Sequence, residues 1–482
     1  MVTQDLIVLG GGTSGFIVAI GALRLGLQVT LIEKHQRLGG LALHNGCVPS
    51  KALLHLANMA HIAQNAVNYG IESYVLPTDL RKINKYVNQV TNNLITQESQ
   101  EIENIFAQFN GNIVYGQPCF IDEHTIEVNG QRLQAKKIVV ATGSRPLYPA
   151  IDGLSDVGYI TNEELFKQQK LWEKIVVLGD RPSAIEFAQA FARFGTKVSI
   201  VVRGDSILSQ EDPELVEKLK EVLLQNGINL YLNTKVKSVY MQRKEKILEC
   251  VHDSGDIYTL SADEIFIALG RRPNVEGLGL ENAGVAYAKD GIIVDRRLCT
   301  ARKNIYALGD VIRSPYKLTH IAEYQASILL SNMLFRYPAK VKYQGFPYVI
   351  FTDPEYAHVG LTEQQAKEHK YKKIEIFRFD FKDLDRAIIN NSPIGMIKVV
   401  TSNKKIIGAT ILGAQASSLI AEWGLAINMQ ATLGDIAATV HAYPTFAQIN
   451  RRVASKHISR NFFSNANRTL VGIMQRFGFA SV

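Results

Sequence analysis

The feature that most constrains this chain is a glycine-rich turn between a short apolar run and a helical pattern. Leu6–Leu9 has the composition of a buried parallel strand, and GGGTSG at Gly10–Gly15 fits the pattern GxGxxG at a strand-to-helix junction. Glu33 ends the next predicted strand, 18 residues after Gly15. The glycines let a helix N-terminus approach a pyrophosphate, and the acid accepts hydrogen bonds from an adenosine ribose. The combination predicts a dinucleotide-binding unit.

A second unit of the same kind begins at Lys174 with the sequence KIVVLGDRPSAIEFAQAFARFGTKVSIVVRGD. Gly179 is kept, but Arg181 and Ala184 stand where the second and third glycines are expected. Arg203 follows the second strand, where an acid would select NAD, and a cation there suits the 2′-phosphate of NADP. The alternative for Arg203 is a solvated arginine at a strand end. The repeat predicts two nucleotide-binding domains in one chain.

Three further segments each predict a strand that ends in a glycine turn. Ile138–Ala141 leads into ATGSRP, a similar ALGRRPN begins at Ala268, and NIYALGD ends in Asp310. Such turns bring the chain back toward a bound nucleotide. After about Lys340 the pattern changes, because IKVVTSNKKIIGATILG alternates like an antiparallel hairpin with a turn at Ser402–Asn403. This segment predicts a separate α+β domain.

Composition and cysteine usage narrow the class of protein. The 482 residues, 46% hydrophobic and 20% charged, are ordinary for a globular protein of two to four domains. The four cysteines are far apart and form no CxxC pair, metal-ligand spacing or disulfide framework, which favours a reducing, cytoplasmic location. The N-terminus has no basic region of a secretory signal, and no run of 18 uncharged apolar residues predicts a membrane-spanning helix.

The last 32 residues form a basic tail. Residues 451–482 contain six Lys or Arg and no Asp or Glu, out of a net charge of +8 for the chain. Four apolar residues fall at helical spacing with two arginines elsewhere on the helix: Leu470, Ile473, Met474 and Phe477, with Arg468 and Arg476. Two alternatives follow, namely contact with an anionic membrane surface or packing on the same subunit or a dimer partner. Nucleic acid is not expected, because the tail has no recognised binding motif.

The segment GGLALHNGCVPSK at residues 39–51 has the glycines, proline and lysine of a cofactor-associated thiol site. It contains one thiol, Cys47, and Ala42 stands five residues earlier, where a disulfide partner would fit. A dithiol–disulfide exchange needs both thiols. The sequence therefore predicts a redox site from which half of the disulfide is missing.

Together these segments resemble the flavin-dependent pyridine nucleotide-disulfide oxidoreductases, which include mercuric reductases. The resemblance extends to about Asn450 and includes HAYPTFAQ at residues 441–448. It implies an α/β fold of two nested Rossmann-like dinucleotide-binding domains plus an α+β C-terminal dimerisation domain. The expected boundaries are 1–147 and 270–340 for the FAD-binding domain, 148–269 for the NAD(P)H-binding domain, 341–450 for the interface domain and 451–482 for the basic C-terminal tail.

The resemblance also implies which residues bind the cofactors, FAD and either NADPH or NADH. These are Gly10, Gly12, Gly15, Glu33, Gly40, Thr142, Gly143, Gly179, Arg203, Gly270, Gly309 and Asp310. Among them, Asp310 is expected at the ribityl chain. Lys51 is expected to pair with Glu186 near flavin N5, where a cation favours the anionic reduced flavin.

The sequence departs from the family pattern at three linked positions. Ala42 replaces the first redox cysteine, while Tyr443 and Gln448 replace the histidine and glutamate that act as acid and base toward the other subunit's thiol. A tyrosine with a pKa of about 10 is a poor base at neutral pH. His441, two residues upstream, is expected to be structural. Cys47 is expected either to tune the properties of the flavin as a thiolate or to pack as an inert thiol.

The leading hypothesis is an FAD-dependent NAD(P)H oxidoreductase that passes electrons to a non-disulfide acceptor such as a quinone or a metal ion. Its catalytic candidates are Cys47, Lys51, Glu186 and Tyr443, and its expected partners are a second copy of the chain and a small-molecule acceptor. One alternative is a mercuric or disulfide reductase that uses an additional thiol. The other is a dimeric FAD-binding module whose nicotinamide site has decayed.

Overall fold

The structure is a computed structural model that describes residues 3–74, 76–335, 337–462 and 465–476, without the side chains of residues 457–462 and 476. The strands, in chain order, are β1 (Thr3–Leu9), β2 (Val29–Glu33), β3 (Asn112–Tyr115), β4 (Cys119–Phe120), β5 (Thr125–Val128), β6 (Gln131–Val140), β7 (Ser144–Pro146), β8 (Lys174–Leu178), β9 (Lys197–Val201), β10 (Asn229–Tyr231), β11 (Thr234–Gln242), β12 (Glu245–His252), β13 (Ile257–Ala262), β14 (Glu264–Ile267), β15 (Arg271–Pro273), β16 (Tyr287–Ala288), β17 (Gly291–Ile292), β18 (Ile305–Ala307), β19 (Pro347–Ile350), β20 (Glu355–Gly360), β21 (Ile374–Asp380), β22 (Met396–Ser402) and β23 (Lys405–Gly413).

The helices, in chain order, are α1 (Thr13–Arg24), α2 (Gly40–His44), α3 (Cys47–Asn65), α4 (Leu80–Gln108), α5 (Leu154–Val157), α6 (Pro182–Arg193), α7 (Pro213–Gln225), α8 (Thr319–Phe335), α9 (Glu363–Glu368), α10 (Asp385–Ile389), α11 (Ala416–Asn428), α12 (Leu433–Ala438), α13 (Gln448–Phe462) and α14 (Asn465–Arg476). The described chain divides into two units. The first comprises residues up to 206 and 227–342, and the second comprises 207–226 and the residues from 343 onward.

The first unit contains a sheet with the strand order β3-β2-β1-β6-β5-β4, and β18 also pairs with β6. The strands β2, β1, β6 and β18 are parallel where they pair. Leu6 to Leu9 of β1 are fully buried, as expected for an apolar strand that is covered on both faces. The predicted strand at Leu6–Leu9 and the position of Glu33 at the end of β2 are both confirmed.

The same unit contains a second parallel sheet with the order β10-β9-β8-β14. The predicted repeat is confirmed as β8, α6 and β9, which reproduce the arrangement of β1, α1 and β2. The three predicted strand-to-glycine turns follow β6, β14 and β18. Two of these turns meet, because β7 in ATGSRP pairs antiparallel with β15 in ALGRRPN and Arg272 lies opposite Arg145.

The second unit is built on an antiparallel sheet with the order β19-β20-β23-β22-β21. The predicted hairpin is β22 and β23, but its turn is at Asn403–Lys404, one residue later than predicted, because Ser402 still pairs with Lys405. Both turn residues have positive φ angles, 48° and 68°. All seven residues of β22 are buried. Polar side chains in β22 are accommodated by pairing, as in the ion pair of Lys398 with Asp212 at 2.9 Å.

Candidate active site

The first glycine turn is held so closely that side chains are excluded at two of its positions. Gly10 has φ +107°, and a Cβ atom there would lie 2.4 Å from the carbonyl oxygen of Ala141. A Cβ atom on Gly15 would lie 1.9 Å from the carbonyl oxygen of Gly10. Helix α1 begins directly after Gly12, and no side chain caps its N-terminus. The backbone N–H groups at this end are therefore suited to a pyrophosphate, as predicted.

Glu33 is buried at the end of β2 and is oriented by the backbone. Its Oε2 accepts a hydrogen bond from the Gly11 N–H at 2.7 Å, and its Oε1 accepts one from the His35 N–H at 2.9 Å. The carboxylate lines a cavity of about 240 Å³ together with Gly10 and Thr142. A carboxylate has further acceptor sites on each oxygen, so Glu33 can still accept from ribose hydroxyls. The residues present thus fit the adenosine end of a dinucleotide.

A larger cavity of about 290 Å³ lies beside the first glycine turn. It brings together predicted residues from six separate parts of the sequence. These are Gly12, Cys47, Lys51, Gly143, Glu186, Gly270, Gly309 and Asp310. Gly40 is not among the lining residues, but it packs against Gly12, and a Cβ atom on Gly40 would lie 2.6 Å from the Cα atom of Gly12.

Lys51 and Glu186 form the ion pair that the family resemblance implies. The Nζ atom of Lys51 lies 2.8 Å from Oε2 of Glu186, and the side chain of Glu186 is only 5% exposed. Lys51 is on α3 and Glu186 is on α6, so the pair links the helix that carries Cys47 to the first helix of the second nucleotide-binding repeat. A buried carboxylate of this kind needs its cation, because charge burial without a partner is costly.

Cys47 is the first residue of α3 and lies in the cavity. Its Sγ atom is 3.5 Å from the Oγ1 atom of Thr319, which is the first residue of α8. All four cysteines are free. Cys119, Cys250 and Cys299 do not line this cavity, and burial raises the pKa of the Cys250 thiol to about 11. Among the described residues, Cys47 is therefore the one thiol placed for chemistry at this site.

Asp310 is held by side chains from the two paired glycine turns. The hydroxyl of Ser144 donates to Oδ2 of Asp310 at 2.6 Å, and Nε of Arg271 donates to the Ser144 hydroxyl oxygen at 2.8 Å. Burial lowers the pKa of Arg271, and Asp310 opposes that shift. Lys317 lies nearby and donates to the carbonyl oxygens of Asp310 at 2.8 Å and Ile312 at 3.2 Å. The orientation of the Asp310 carboxylate is thus fixed before any ligand binds.

The second glycine turn keeps the geometry of the first in spite of its substitutions. Gly179 has φ +141°, and a Cβ atom there would lie 2.3 Å from the carbonyl oxygen of Ala268. Arg181 precedes α6 as its N-cap residue. Its side chain is 46% exposed and its Nε lies 3.6 Å from Oδ1 of the adjacent Asp180. Arg181 therefore does not fill the cavity beside this turn, which is about 120 Å³ and is lined by Gly179 and Arg203. Gly179 and Arg203 thus line one cavity, as expected for part of a second nucleotide site.

Tyr443 belongs to the second unit and is 67% exposed. The Tyr443–Pro444 peptide bond is cis. The loop is anchored by Arg386, whose Nη1 donates to the carbonyl oxygen of Pro444 at 3.0 Å. Gln448, the first residue of α13, is buried at 8% exposure.

His441 is held as a structural residue, in agreement with the prediction. One ring nitrogen, Nε2, lies 3.1 Å from both carboxylate oxygens of Glu422, and the other, Nδ1, lies 3.0 Å from the carbonyl oxygen of Thr439. Asn450 also donates to Glu422, at 2.8 Å. Because both ring nitrogens face acceptors, neither is available to exchange a proton with a substrate.

Several residues of the large cavity were not predicted from the sequence. Thr319, Lys317, Arg271 and Ser144 all line it. The motif ATGSRP contains Ser144 and ALGRRPN contains Arg271, so the two motifs carried a signal without indicating that the side chains meet. Lys317 precedes α8 and Thr319 is its first residue. The sequence around them has no pattern that predicts a role.

The C-terminal tail contains the predicted helix, α14. Its apolar residues Leu470, Val471, Ile473 and Met474 are 45–53% exposed. About half of each of these apolar side chains is therefore exposed in the single subunit. Phe477 lies outside the described residues. Within the described ranges, no helix is long and apolar enough to cross a membrane and no cluster of three potential metal ligands occurs.

Comparison with known protein families identifies two matching regions. Residues 4–326 match the family model "Pyridine nucleotide-disulphide oxidoreductase". Residues 346–453 match "Pyridine nucleotide-disulphide oxidoreductase, dimerisation domain". The second match indicates a homodimer.

Curated relatives and solved structures agree with these matches. A mercuric reductase from Staphylococcus aureus is 32% identical over 449 residues, which cover 92% of this chain and 80% of the relative. A dihydrolipoyl dehydrogenase from the same organism is 33% identical over 466 residues, which cover 95% of this chain and 97% of the relative. A structure described as a Cu(II) complex of the HOCl-induced flavoprotein disulfide reductase RclA from Escherichia coli has a TM-score of 0.84. It is 25% identical and covers 95% of this chain and 100% of that chain.

Proposed function

The chain belongs to the pyridine nucleotide-disulphide oxidoreductase family, and we propose that it passes electrons from NAD(P)H through FAD to an acceptor that is not a disulfide. The observation that carries this proposal is the large cavity, in which Cys47 is the one thiol and Ala42 occupies the expected position of its partner. The cofactors FAD and NAD(P)H are those of the family. The identity of the acceptor is the part that we propose.

Different residues of the chain bind and orient the two cofactors. When bound, FAD accepts two electrons from NAD(P)H and releases them to the acceptor. The N-terminus of α1 and the carboxylate of Glu33 hold its pyrophosphate and adenosine ribose, and Asp310 holds its ribityl chain. The pair of Lys51 and Glu186 fixes α6 against α3, so that the nicotinamide nucleotide bound at α6 is oriented toward the cavity.

The loss of disulfide chemistry is supported by three positions that change together. Ala42 cannot form a bond to Cys47, the exposed phenol of Tyr443 replaces an imidazole, and Gln448 cannot stabilise a positive charge. His441 does not substitute for the missing base, because Glu422 and Thr439 occupy both of its nitrogens. A planar acceptor such as a quinone needs neither a second thiol nor a base to take electrons from reduced FAD. Cys47 then contributes to the wall of the cavity and to its electrostatics.

A second candidate is a mercuric or disulfide reductase, and it is favoured by the names of the relatives. In this case an additional thiol would have to reach the cavity, and the three other cysteines of the chain lie elsewhere. The third hypothesis is a binding module with a decayed nicotinamide site, and it would be favoured if the side chain of Arg181 filled the second nucleotide site. Arg181 instead projects to the surface beside Asp180, which supports an enzyme.

The experiment that tests the proposal compares acceptors under identical conditions. The purified holoenzyme is supplied with NADPH or NADH and with one of four acceptors. These are a water-soluble quinone, lipoamide, oxidised glutathione and a Hg(II)–thiol complex. The proposal expects turnover with the quinone and none above background with either disulfide or with Hg(II). Turnover of a disulfide or of Hg(II) that exceeds quinone turnover would replace the proposal with the second candidate.

We also propose that the tail brings a cytoplasmic enzyme to an anionic membrane surface. The exposed apolar side chains of α14 lie on one side of a helix in a segment with six cations and no acid, and this segment extends beyond the matched dimerisation domain. Co-sedimentation with anionic liposomes at low salt tests this with Leu470→Gln/Ile473→Gln and a control, Thr469→Gln/Gly472→Gln, on the opposite face. The first variant should lose binding and the control should keep it. Equal binding of both variants contradicts the proposal, and loss of the dimer in the first variant assigns α14 to subunit packing.

A further inference from the structure

Among the described residues, the wall of the large cavity carries three cations and two anions, and Lys317 is the cation that forms no ion pair. Five charged side chains line it, namely Lys51, Glu186, Arg271, Asp310 and Lys317. Lys51 pairs with Glu186 at 2.8 Å, and Nε of Arg271 lies 3.7 Å from Oδ2 of Asp310. Lys317 instead donates to the carbonyl oxygens of Asp310 and Ile312, which carry no net charge. Burial lowers the pKa of Lys317, and the carboxylates of Asp310 and Asp290, which form no ion pair with it, partly oppose that shift.

Lys317 is also close to the positive end of a helix. It lies two residues before Thr319, which begins α8 and whose hydroxyl is 3.5 Å from Sγ of Cys47. A helix N-terminus carries partial positive charge from its backbone N–H groups. The ammonium group of Lys317 and the N-terminus of α8 therefore both make the electrostatic potential in this part of the cavity more positive. Lys51 does not, because Glu186 opposes its charge.

We propose that Lys317 sets the reduction potential of the FAD bound in this cavity. Adding two electrons and one proton to the neutral oxidised flavin ring leaves a form with one negative charge. A half-buried ammonium group in the wall stabilises that charge more than it would in water, and so it favours the reduced cofactor. The inference depends on FAD binding in the cavity and is independent of which acceptor the enzyme uses.

A purely structural role for Lys317 makes a different prediction. The two hydrogen bonds to the carbonyl oxygens at 310 and 312 brace the loop that carries Asp310, and any donor of similar length could make them. Lys317→Gln keeps donor hydrogens and removes the charge, Lys317→Arg keeps the charge, and Lys317→Met removes both. The three variants therefore separate the charge from the bracing.

The experiment is an anaerobic reductive titration of each holoenzyme against a reference dye, with dithionite as the reductant. Lys317→Gln and Lys317→Met should each decrease the equilibrium constant for two-electron reduction about tenfold or more, which is a potential lower by about 30 mV or more. Lys317→Arg should stay within threefold of the wild type. Because dithionite replaces NAD(P)H and no acceptor is present, the result does not depend on the proposed electron acceptor.

A matched control is Lys137→Met. Lys137 also donates to a backbone carbonyl oxygen, that of Met333 at 2.7 Å, but it does not line the cavity. Its variant should leave the potential unchanged. A wild-type potential in Lys317→Gln, or an equal decrease in Lys317→Arg, would overturn the proposal. The thermal midpoint and the dissociation constant of FAD are measured for every variant. If Lys317→Met fails to bind FAD, the comparison of the Gln and Arg variants decides.

Discussion

The Nζ atom of Lys51 lies 2.8 Å from Oε2 of Glu186, and this ion pair joins the helix that begins at Cys47 to the helix that begins the second nucleotide-binding repeat. The two residues are 135 positions apart in the sequence. Both side chains line the large cavity, so the pair joins the two helices at the wall of that cavity. We infer that the pair couples the position of a nicotinamide nucleotide bound at α6 to that of the flavin.

Breaking this pair should slow the reduction of bound FAD by NAD(P)H. In Glu186→Gln and Lys51→Met we expect the rate to fall about 10- to 100-fold, because misplacement of a bound reactant by about 1 Å can cost that much. Stopped-flow absorbance under anaerobic conditions measures the rate. Combining the two changes should cost little more than either alone. The control is Lys174→Met, which breaks the surface pair of Lys174 with Glu245 at 2.9 Å. Additive losses in the double variant would contradict a coupled pair.

Restoring the missing cysteine alone should not restore disulfide reduction. Ala42→Cys supplies the second thiol, but Tyr443 and Gln448 still lack the acid–base function, which is typically worth about 10²–10⁴-fold. We expect turnover of a small disulfide in Ala42→Cys to stay below one hundredth of that in a triple variant that also carries Tyr443→His and Gln448→Glu. Ala42→Ser serves as the control for the change in size. Comparable turnover in the single and triple variants would show that the C-terminal positions are irrelevant.

The nucleotide preference should depend on Arg203. This residue lines the cavity beside Gly179, and a charge-assisted contact to a 2′-phosphate contributes about 1.5–3 kcal/mol. Arg203→Glu should therefore lower the ratio of kcat/KM for NADPH to that for NADH by about tenfold or more. Lys170→Glu, an exposed site outside this cavity, should leave the ratio unchanged. An unchanged ratio in Arg203→Glu would reduce Arg203 to a solvated residue at a strand end.

Acid should destabilise the second unit through His358. This side chain is 2% exposed, and burial lowers its pKa from 6.5 to about 4. Its ring nitrogens contact Thr410 and the carbonyl oxygen of Gly360, and the nearby Asp212 opposes the shift.

His358 binds a proton near pH 6.5 in the unfolded chain but only near pH 4 in the folded chain. The free energy of unfolding is therefore at its full value above pH 6.5 and decreases as the pH falls from 6.5 to 4. The loss from this group is about 3 kcal/mol at its largest. Denaturant unfolding of the C-terminal unit between pH 4 and 8 measures it. His358→Gln should flatten the pH dependence, whereas His369→Gln at an exposed position should not. Equal slopes in the wild type and His358→Gln would contradict this assignment.

The sequence predicted the parts of the site that depend on local geometry. The strand before Gly10, the acid at Glu33 and the repeat at Gly179 are each a short pattern whose backbone conformation excludes most alternatives. The pairing of Lys51 with Glu186 came from the family resemblance, since nothing in the local sequence of either helix indicates the other.

The rest depends on contacts between distant segments. Ser144 and Arg271 meet because β7 and β15 pair. The sequence of neither three-residue strand predicts that pairing. The role of Lys317 arises only once Asp310 and Ile312 place their carbonyl oxygens around it. The grouping of α7 with the C-terminal residues likewise depends on Lys398, whose Nζ lies 2.9 Å from Oδ2 of Asp212.

The central claim is that FAD is the sole redox centre of this enzyme, and the number of electrons that it accepts tests this most directly. The flavin and a disulfide each take two electrons on reduction. In an anaerobic titration with dithionite, the account predicts that one two-electron equivalent per FAD abolishes the absorbance of oxidised flavin in the wild type. The oxidised Ala42→Cys variant should need two equivalents. Consumption of two equivalents per FAD by the wild-type protein would contradict the account, because it would reveal a second two-electron centre.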